Sequence, residues 1–381
     1  MNSRERMLAA IKGQEVDYVP FTIGFAEYDK LHDAFVGKWR NKREHLAYYQ
    51  QREWDDMLDV GSRVTPNGSV NVRRTDIVDE QGREIVCQTW ETPGGSISEK
   101  LYKKGWDDAY RTDKPLYLSD DFRTSRYIEF PFKEEKDLAA LPYLFPVDNP
   151  VDIEGIKESC RENKKLAEEF GVMTLAGIDP GLDWLMWLFP AEEAVFYAVD
   201  SPDFIESLLG YINKSKHKRL EVLLDQGVDA VMRRGWYESG DFWSPKLFRR
   251  FAKPALEKEI KMAHEAGVPY IYIMDTGLKQ ILPELASLDF DCIYGADPVL
   301  GNIGLTEQRA ALPGKSIWGG VSTYHYAADS PEIARKGTEE AFAALGTKGF
   351  IVGPAAGYRS YHPIENLIAM EEAWKRLRAG G

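Results

Sequence analysis

The apolar run Val228, Ala230, Val231 and Met232 ends abruptly in Arg233, Arg234, Trp236, Tyr237, Glu238 and Asp241. A buried strand that empties into charge and aromatics is what the mouth of a parallel barrel presents, because strand ends there feed the loops that do chemistry. The same change of character recurs at 270–277, 291–297, 315–323 and 350–358. Acid/base chemistry is the first implication. Glu238 and Asp275 each follow a strand within a few residues, and a carboxylate crowded among aromatics has a raised pKa that suits a general acid. His362, ahead of Pro363 and a helix, is a candidate proton donor or metal ligand. Trp236, Tyr237, Tyr272, Trp318 and Tyr358 are expected to line an aromatic substrate slot, with Asp179 and Arg233 as polar contacts; Arg234 and Arg359 could also clamp an anion. Blander roles compete at several positions. Asp183 and Asp297 suit helix caps. Trp184 and Trp187, three apart, suit one packed helix face, and the dipole of a helix ending at Gly267 accounts for His264.

Such strand ends need a scaffold. Residues 2–13 predict a short amphipathic helix, with Asn2 and Glu5 at capping-box spacing. Tyr18–Gly24 predicts a first strand, 43–58 a helix and Met57–Val60 a short second strand. Between about 64 and 130, alternating apolar and polar residues with turns at 79–82 and 93–95 predict an antiparallel insertion, followed by a Pro-rich connector to 150. Beyond it, helices at 152–170, 191–198, 202–226, 245–266, 278–287, 306–311 and 331–345 alternate with strands starting at 172, 228, 268, 291, 316 and 349, and a last helix spans 364–378. Alternation at this spacing means parallel pairing through right-handed crossovers. The expected fold is α/β, a (β/α)8 TIM barrel occupying 1–381 as a single domain with the insertion at about 64–130. No GxGxxG or phosphate-binding loop follows any strand, which disfavours an open doubly wound sheet.

Composition narrows the function. The 381 residues carry 48 Lys and Arg against 61 Asp and Glu, a net charge of −13, which excludes general binding to nucleic acid or to an anionic membrane. No run of 18 apolar residues occurs and the start, Met1-Asn2-Ser3-Arg4-Glu5-Arg6, reads as a helix rather than a signal peptide, so a cytoplasmic protein is expected. Cys87, Cys160 and Cys292 are too scattered for a disulfide framework or a thiolate zinc site.

Three segments together resemble the uroporphyrinogen decarboxylase superfamily over nearly the whole chain: RERMLAAIKGQEVDYVP (4–20), WSPKLFRRFAKPALEKEIKMAHEAG (243–267) and HPIENLIAMEEAW (362–374). The resemblance implies an (α/β)8 barrel and one of two activities. Decarboxylases of the family act on a tetrapyrrole bearing eight carboxylates and carry arginines just after the first strand. This chain has FTIGFAEYDKLHDAF (21–35) there, with Glu27, Asp29, Asp33 and no arginine, which is electrostatically wrong for such an anion. The other branch comprises corrinoid-dependent methyltransferases, some of which hold zinc through an HxC motif and a further Cys. Here those places read Tyr272-Ile273-Met274 and Gly353-Pro354-Ala355-Ala356, so that ligand set is absent and metal binding through Asp, Glu and His alone is left open.

The resemblance therefore implies a methyltransferase that moves a methyl group from a small methylated donor, an O-methyl aromatic being favoured, to a corrinoid (cobalamin). The chain has no D-x-H-x-x-G corrinoid motif, so the corrinoid must arrive on a partner protein. On this reading Glu238, Asp275 and His362 are catalytic, and Glu238→Gln is expected to fold but lose turnover. The expected partners are the methyl donor and the corrinoid protein, and a homodimer is compatible with the sequence. Decarboxylation of a small acid, and a non-catalytic subunit that docks a corrinoid protein, are the alternatives.

Overall fold

The computed structural model describes residues 1–23, 39, 41–61, 64–103, 126–179, 181–358 and 362–378. Gly24, Glu27, Asp29, Asp33 and Arg359, singled out above, lie outside them.

Among the described residues, seven parallel strands form the main sheet. In order across it they are β1 (Met57–Asp59), β6 (Met173–Ile178), β7 (Ala230–Arg234), β8 (Tyr270–Ile273), β9 (Cys292–Ala296), β10 (Ser316–Val321) and β11 (Phe350–Pro354). A second, antiparallel sheet has the order β2 (Asn71–Val78), β3 (Glu84–Thr92), β4 (Gly95–Tyr102), β5 (Tyr127–Glu129). The expected first strand is reduced to a single parallel bridge, Phe21 to Val352. Around it, Thr22 N donates to Val352 O, Val352 N to Pro20 O and Tyr358 N to Ile23 O, while Asp55 N donates to Phe21 O. The segment 20–23 thus touches β11 on one side and the approach to β1 on the other. Pro20 lacks an N–H, which limits how much ladder this segment can donate.

Side chains of the main sheet alternate between two dry environments. Met57, Met173, Leu175, Ala230, Met232, Ile271, Ile273, Cys292, Tyr294, Trp318 and Ile351 form one cluster on the inner face. The helix Ser3–Ile11 closes that cluster from below with Met7, Ala10 and Ile11. A capping box of Asn2 and Glu5 sets where this helix begins. On the other face Ile178, Val231, Tyr270, Tyr272, Ile293, Ile317, Phe350 and Val352 pack against the surrounding helices in a much larger cluster. Trp90 and Ile97 of the antiparallel sheet are buried in that same cluster.

The helices fall close to expectation, with local departures. The predicted helix 43–58 stops at Gln51, because Glu53 takes a left-handed φ of 62° before the chain extends into β1. The predicted helix 245–266 is two helices, Pro245–Phe251 and Lys253–Glu265, with Pro254 in the first turn of the second. A short helix, Asp183–Leu188, appears where sequence reading placed only a strand-end loop. No helix among the described residues is long and apolar enough to cross a membrane.

Candidate active site

The loops that follow β6, β7 and β8 are tied together by Glu238, a residue with no solvent exposure. Its Oε1 accepts from the backbone N–H groups of Gly181 (3.0 Å) and Leu182 (2.6 Å) and from Nη2 of Arg233 (2.5 Å), and its Oε2 accepts from Tyr272 Oη (2.5 Å). Both oxygens are engaged, so the carboxylate is held as a charge-assisted anchor. Gly181 is required here by space: a Cβ on it would lie 2.1 Å from Arg233 Nη2 and 2.6 Å from Glu238 Oε1.

Behind Glu238 the charges continue away from the inner face. Arg233 Nη1 also donates to Glu259 Oε2 (3.1 Å), which accepts from Tyr270 Oη (2.7 Å), while Lys216 Nζ ion-pairs with Glu259 Oε1 at 2.6 Å. Glu259 and Lys216 belong to the helices Lys253–Glu265 and Pro202–Asp225, so the network lies between sheet and helices. Burial alone would lower the Arg233 pKa, but Glu238 and Glu259 beside it reverse this and hold it well above the ordinary value. Burial would raise that of Glu259, yet Arg233 and Lys216 pull it well below. Burial, and then the Glu238 charge, push the Tyr272 hydroxyl well up. Asp179 also faces a helix, paired with Arg219.

The inner face carries different groups at the same level. Successive strand residues point to opposite sides, so if Met232 is inside, Arg233 is outside and Arg234 inside. Arg234 lies over the Trp236 ring, 5.4 Å from its centroid, and Trp236 packs on the inner cluster. Across from them stands Asp59, the last residue of β1, on the same side as Met57. Its Oδ1 accepts from Gly177 N (3.3 Å), and a Cβ on Gly177 would sit 2.8 Å from that oxygen, so only glycine leaves it room. Asp59 is open to solvent at the mouth but walled in around its sides. That crowding raises its pKa, with Arg234 and the N–H groups of Gly177 and Gly61 opposing the rise. Trp318 and Tyr294, ring centroids 4.8 Å apart, floor the mouth, and Trp318 Nε1 donates to Thr22 Oγ1 (2.8 Å).

The remaining expected site residues gather in two places. Asp183 accepts from the backbone N–H groups of Trp236 (3.1 Å) and Tyr237 (2.8 Å), fixing the loop that presents both rings. His362 stands edge-on between Tyr358 and Tyr326, 5.0 Å from each, and the Asp275 charge is felt at the Tyr326 hydroxyl. Glu238 sits in the loop after β7, Asp275 in the loop after β8 and His362 beyond β11, just before the helix Ile364–Leu377. Asp297 accepts from Val299, Leu300 and Thr323 N–H groups, the loop-fixing role allowed for it above. Asp59 was missed by sequence reading, although the strand ending at it was expected. Among the described residues no group of three or more His, Cys, Asp or Glu is placed to hold a metal ion. Cys292 lies in the apolar inner layer, where burial pushes its thiol pKa far up.

The model of the uroporphyrinogen decarboxylase family matches residues 188–377. The chain belongs to the uroporphyrinogen decarboxylase superfamily. Among solved structures, a methyltransferase from Methanosarcina mazei is similar at 16% identity, with 99% of both chains covered and a TM-score of 0.64. A B12-independent methionine synthase from Shewanella sp. W3-18-1 is similar at 11% identity, covering 94% of this chain and 96% of that one, with a TM-score of 0.48. At 16% identity the first likeness concerns the fold, and it spans this superfamily member from end to end. No curated protein matches the sequence.

Proposed function

We propose that this superfamily member is the substrate-side methyltransferase of a corrinoid-dependent demethylation system, acting on a small O-methyl aromatic compound. The observation that carries the reading is the inner-face arrangement at the sheet's C-terminal edge: a crowded, solvent-reachable Asp59 facing Arg234 and Trp236 above an aromatic floor. We take the segment 20–23 as the eighth stave that closes the sheet into a barrel, making this edge the mouth.

The corrinoid, brought by a partner protein, supplies the nucleophile that accepts the methyl group. The chain's residues suit a visiting acceptor, since the interior beneath the mouth is filled by Met232, Ile273, Tyr294 and Trp318. When the aryl ether's methyl–oxygen bond breaks, its electron pair stays on oxygen, and the phenolate needs a proton. Asp59, kept protonated to higher pH by its surroundings, donates it. Trp236 and Tyr237 hold the ring, and the floor of Tyr294 and Trp318 excludes water. Glu238, Tyr272 and Arg233 act one step back by fixing the loops that carry those walls. Asp275, His362 and Tyr358 border the opposite side, with His362 as a further proton donor. Asp179 steadies β6 through Arg219.

The test is to mix the protein with a reduced corrinoid protein and 2-methoxyphenol and to follow catechol by chromatography. Catechol forming only when both proteins are present supports the proposal. A second reading, decarboxylation of a small acid, is favoured by Arg234, whose guanidinium could clamp a carboxylate. Carbon dioxide release from carboxylate substrates, with no catechol formed, would replace the first reading by the second.

A further inference from the structure

In the helical layer, the helix Pro202–Asp225 and the joint between the helices Pro245–Phe251 and Lys253–Glu265 leave a cleft of about 240 Å³. Its space has an origin in the sequence. Gly210, inside the long helix, brings no side chain, and a Cβ built there meets nothing within 4 Å. Leu209, Phe251, Pro254 and Ala255 make the walls apolar. At the rim Arg250 Nε donates to Glu206 Oε1 (2.7 Å), so these two charges answer each other and leave polar recognition to Asn213 and His217. Four residues apart, Asn213 and His217 are neighbours on one helix face. Their inner ends, Asn213 Oδ1 and His217 Nε2, are buried without a hydrogen-bond partner among the described residues, so Nδ2 and Nδ1 are the ends turned toward the cleft. Burial lowers the His217 pKa, with Glu259 opposing, so the ring is neutral near pH 7. Against its own burial, Glu259 is kept ionised by Arg233 and Lys216, and its Oε1 lies 3.5 Å from His217 Nε2. An anion beside Nε2 places the ring's single proton there. Nδ1 is then a lone-pair acceptor, and Asn213 Nδ2 beside it is a donor.

One hydroxyl oxygen answers both groups at once, donating its hydrogen to Nδ1 and accepting from Nδ2. We propose that this cleft binds a small phenol, its hydroxyl between Asn213 and His217 and its ring against Leu209, Phe251 and Pro254. A phenolic O–H is more acidic than that of an alcohol and bonds an imidazole more strongly, and a flat aromatic ring packs well beside Phe251. A cavity of roughly 150 Å³ is enough for benzene, so the volume here admits the ring with its hydroxyl. The inference is independent of the reaction at the barrel mouth, because none of these residues belongs to that site.

Titrating the isotope-labelled full-length protein with phenol, and following the Gly210, Asn213 and His217 amides by NMR, tests the site directly. Saturating shifts are expected, with a Kd of roughly 1 mM, the scale for so small a ligand. Methoxybenzene keeps the ring and an acceptor oxygen but has no hydrogen to give His217, and is expected to bind about ten-fold more weakly. His217→Phe keeps a ring in place and removes the acceptor, so phenol should lose about ten-fold while methoxybenzene is little changed. Gly210→Leu fills the cleft with a better helix former, and is expected to keep the melting temperature while abolishing saturation. Phenol shifts that stay linear overturn the proposal, as does equal binding of the two compounds by wild type. Saturation that survives both variants places the phenol elsewhere and overturns it equally. If Gly210→Leu melts early, His217→Phe alone decides, by whether it closes the gap between the two compounds.

Discussion

At the scale of single residues, two carboxylates, one ending β1 and one in the loop after β7, do opposite jobs because of what surrounds them. Glu238 has both oxygens engaged by donors and fixes loops; Asp59 faces solvent in a crowded setting that favours its neutral form. Asp59→Asn is expected to lower demethylation by on the order of 100-fold, the scale of one general acid. The pH profile carries the sign. A donor works only while protonated, so wild-type activity should fall as pH rises through the raised Asp59 pKa, and the residual activity of the variant should lack that limb. For Glu238→Gln the larger effect is on stability. Removing one partner of a buried pair costs roughly 3–5 kcal/mol, which thermal unfolding would register, and Tyr272→Phe should cost only about 1 kcal/mol for one hydrogen bond. The expectation that Glu238→Gln folds undisturbed follows from a free acid, and the structure gives it none of that freedom. Period two could show that only one of Arg233 and Arg234 faces inward. It could not say which, because strands of a parallel sheet buried on both sides are apolar on both faces and the phase of the alternation is hidden. For the same reason Tyr272 was expected in the pocket and instead faces the helices.

At the scale of elements, the sequence was legible wherever period and punctuation agreed. The helix Pro331–Leu345 and the strand β11 were placed within a residue, bounded by Ser330 and by Gly346 and Gly349. The helix Asp183–Leu188 was hidden because a six-residue helix of DWLMWL has no polar face to show a period. Its loop is set by the glycine before it, so Gly181→Ala should force Arg233 and Glu238 apart and destabilise by about 1–3 kcal/mol, the cost of overpacking. The approach to β1 carries its own titration. Asp56 is buried, 3.6 Å from the His45 ring, and burial, with Asp55 adding to it, pushes its pKa up to about 7. Burial also lowers that of His45 to about 3, so no imidazolium compensates. Because the folded pKa exceeds the unfolded value of about 3.9, this group's stabilising effect is full below pH ~3.9 and is lost as pH rises through about 7. Melting temperatures across that window should decline less in Asp56→Asn than in wild type.

At the scale of the whole molecule, the parallel sheet and the helix Ser3–Ile11 leave one end of the inner face for chemistry. Met7 is fully buried in that lower plug, and Met7→Ala should cost about 2–5 kcal/mol while sparing the geometry above. The measurement that bears most directly on the reading of that end is catechol formation from 2-methoxyphenol with a reduced corrinoid protein, run side by side for wild type and Asp59→Asn. Product from wild type that depends on the corrinoid protein, and about a hundred-fold less from the folded variant, is the predicted result. Equal rates in the two proteins, or no catechol from wild type, would contradict it.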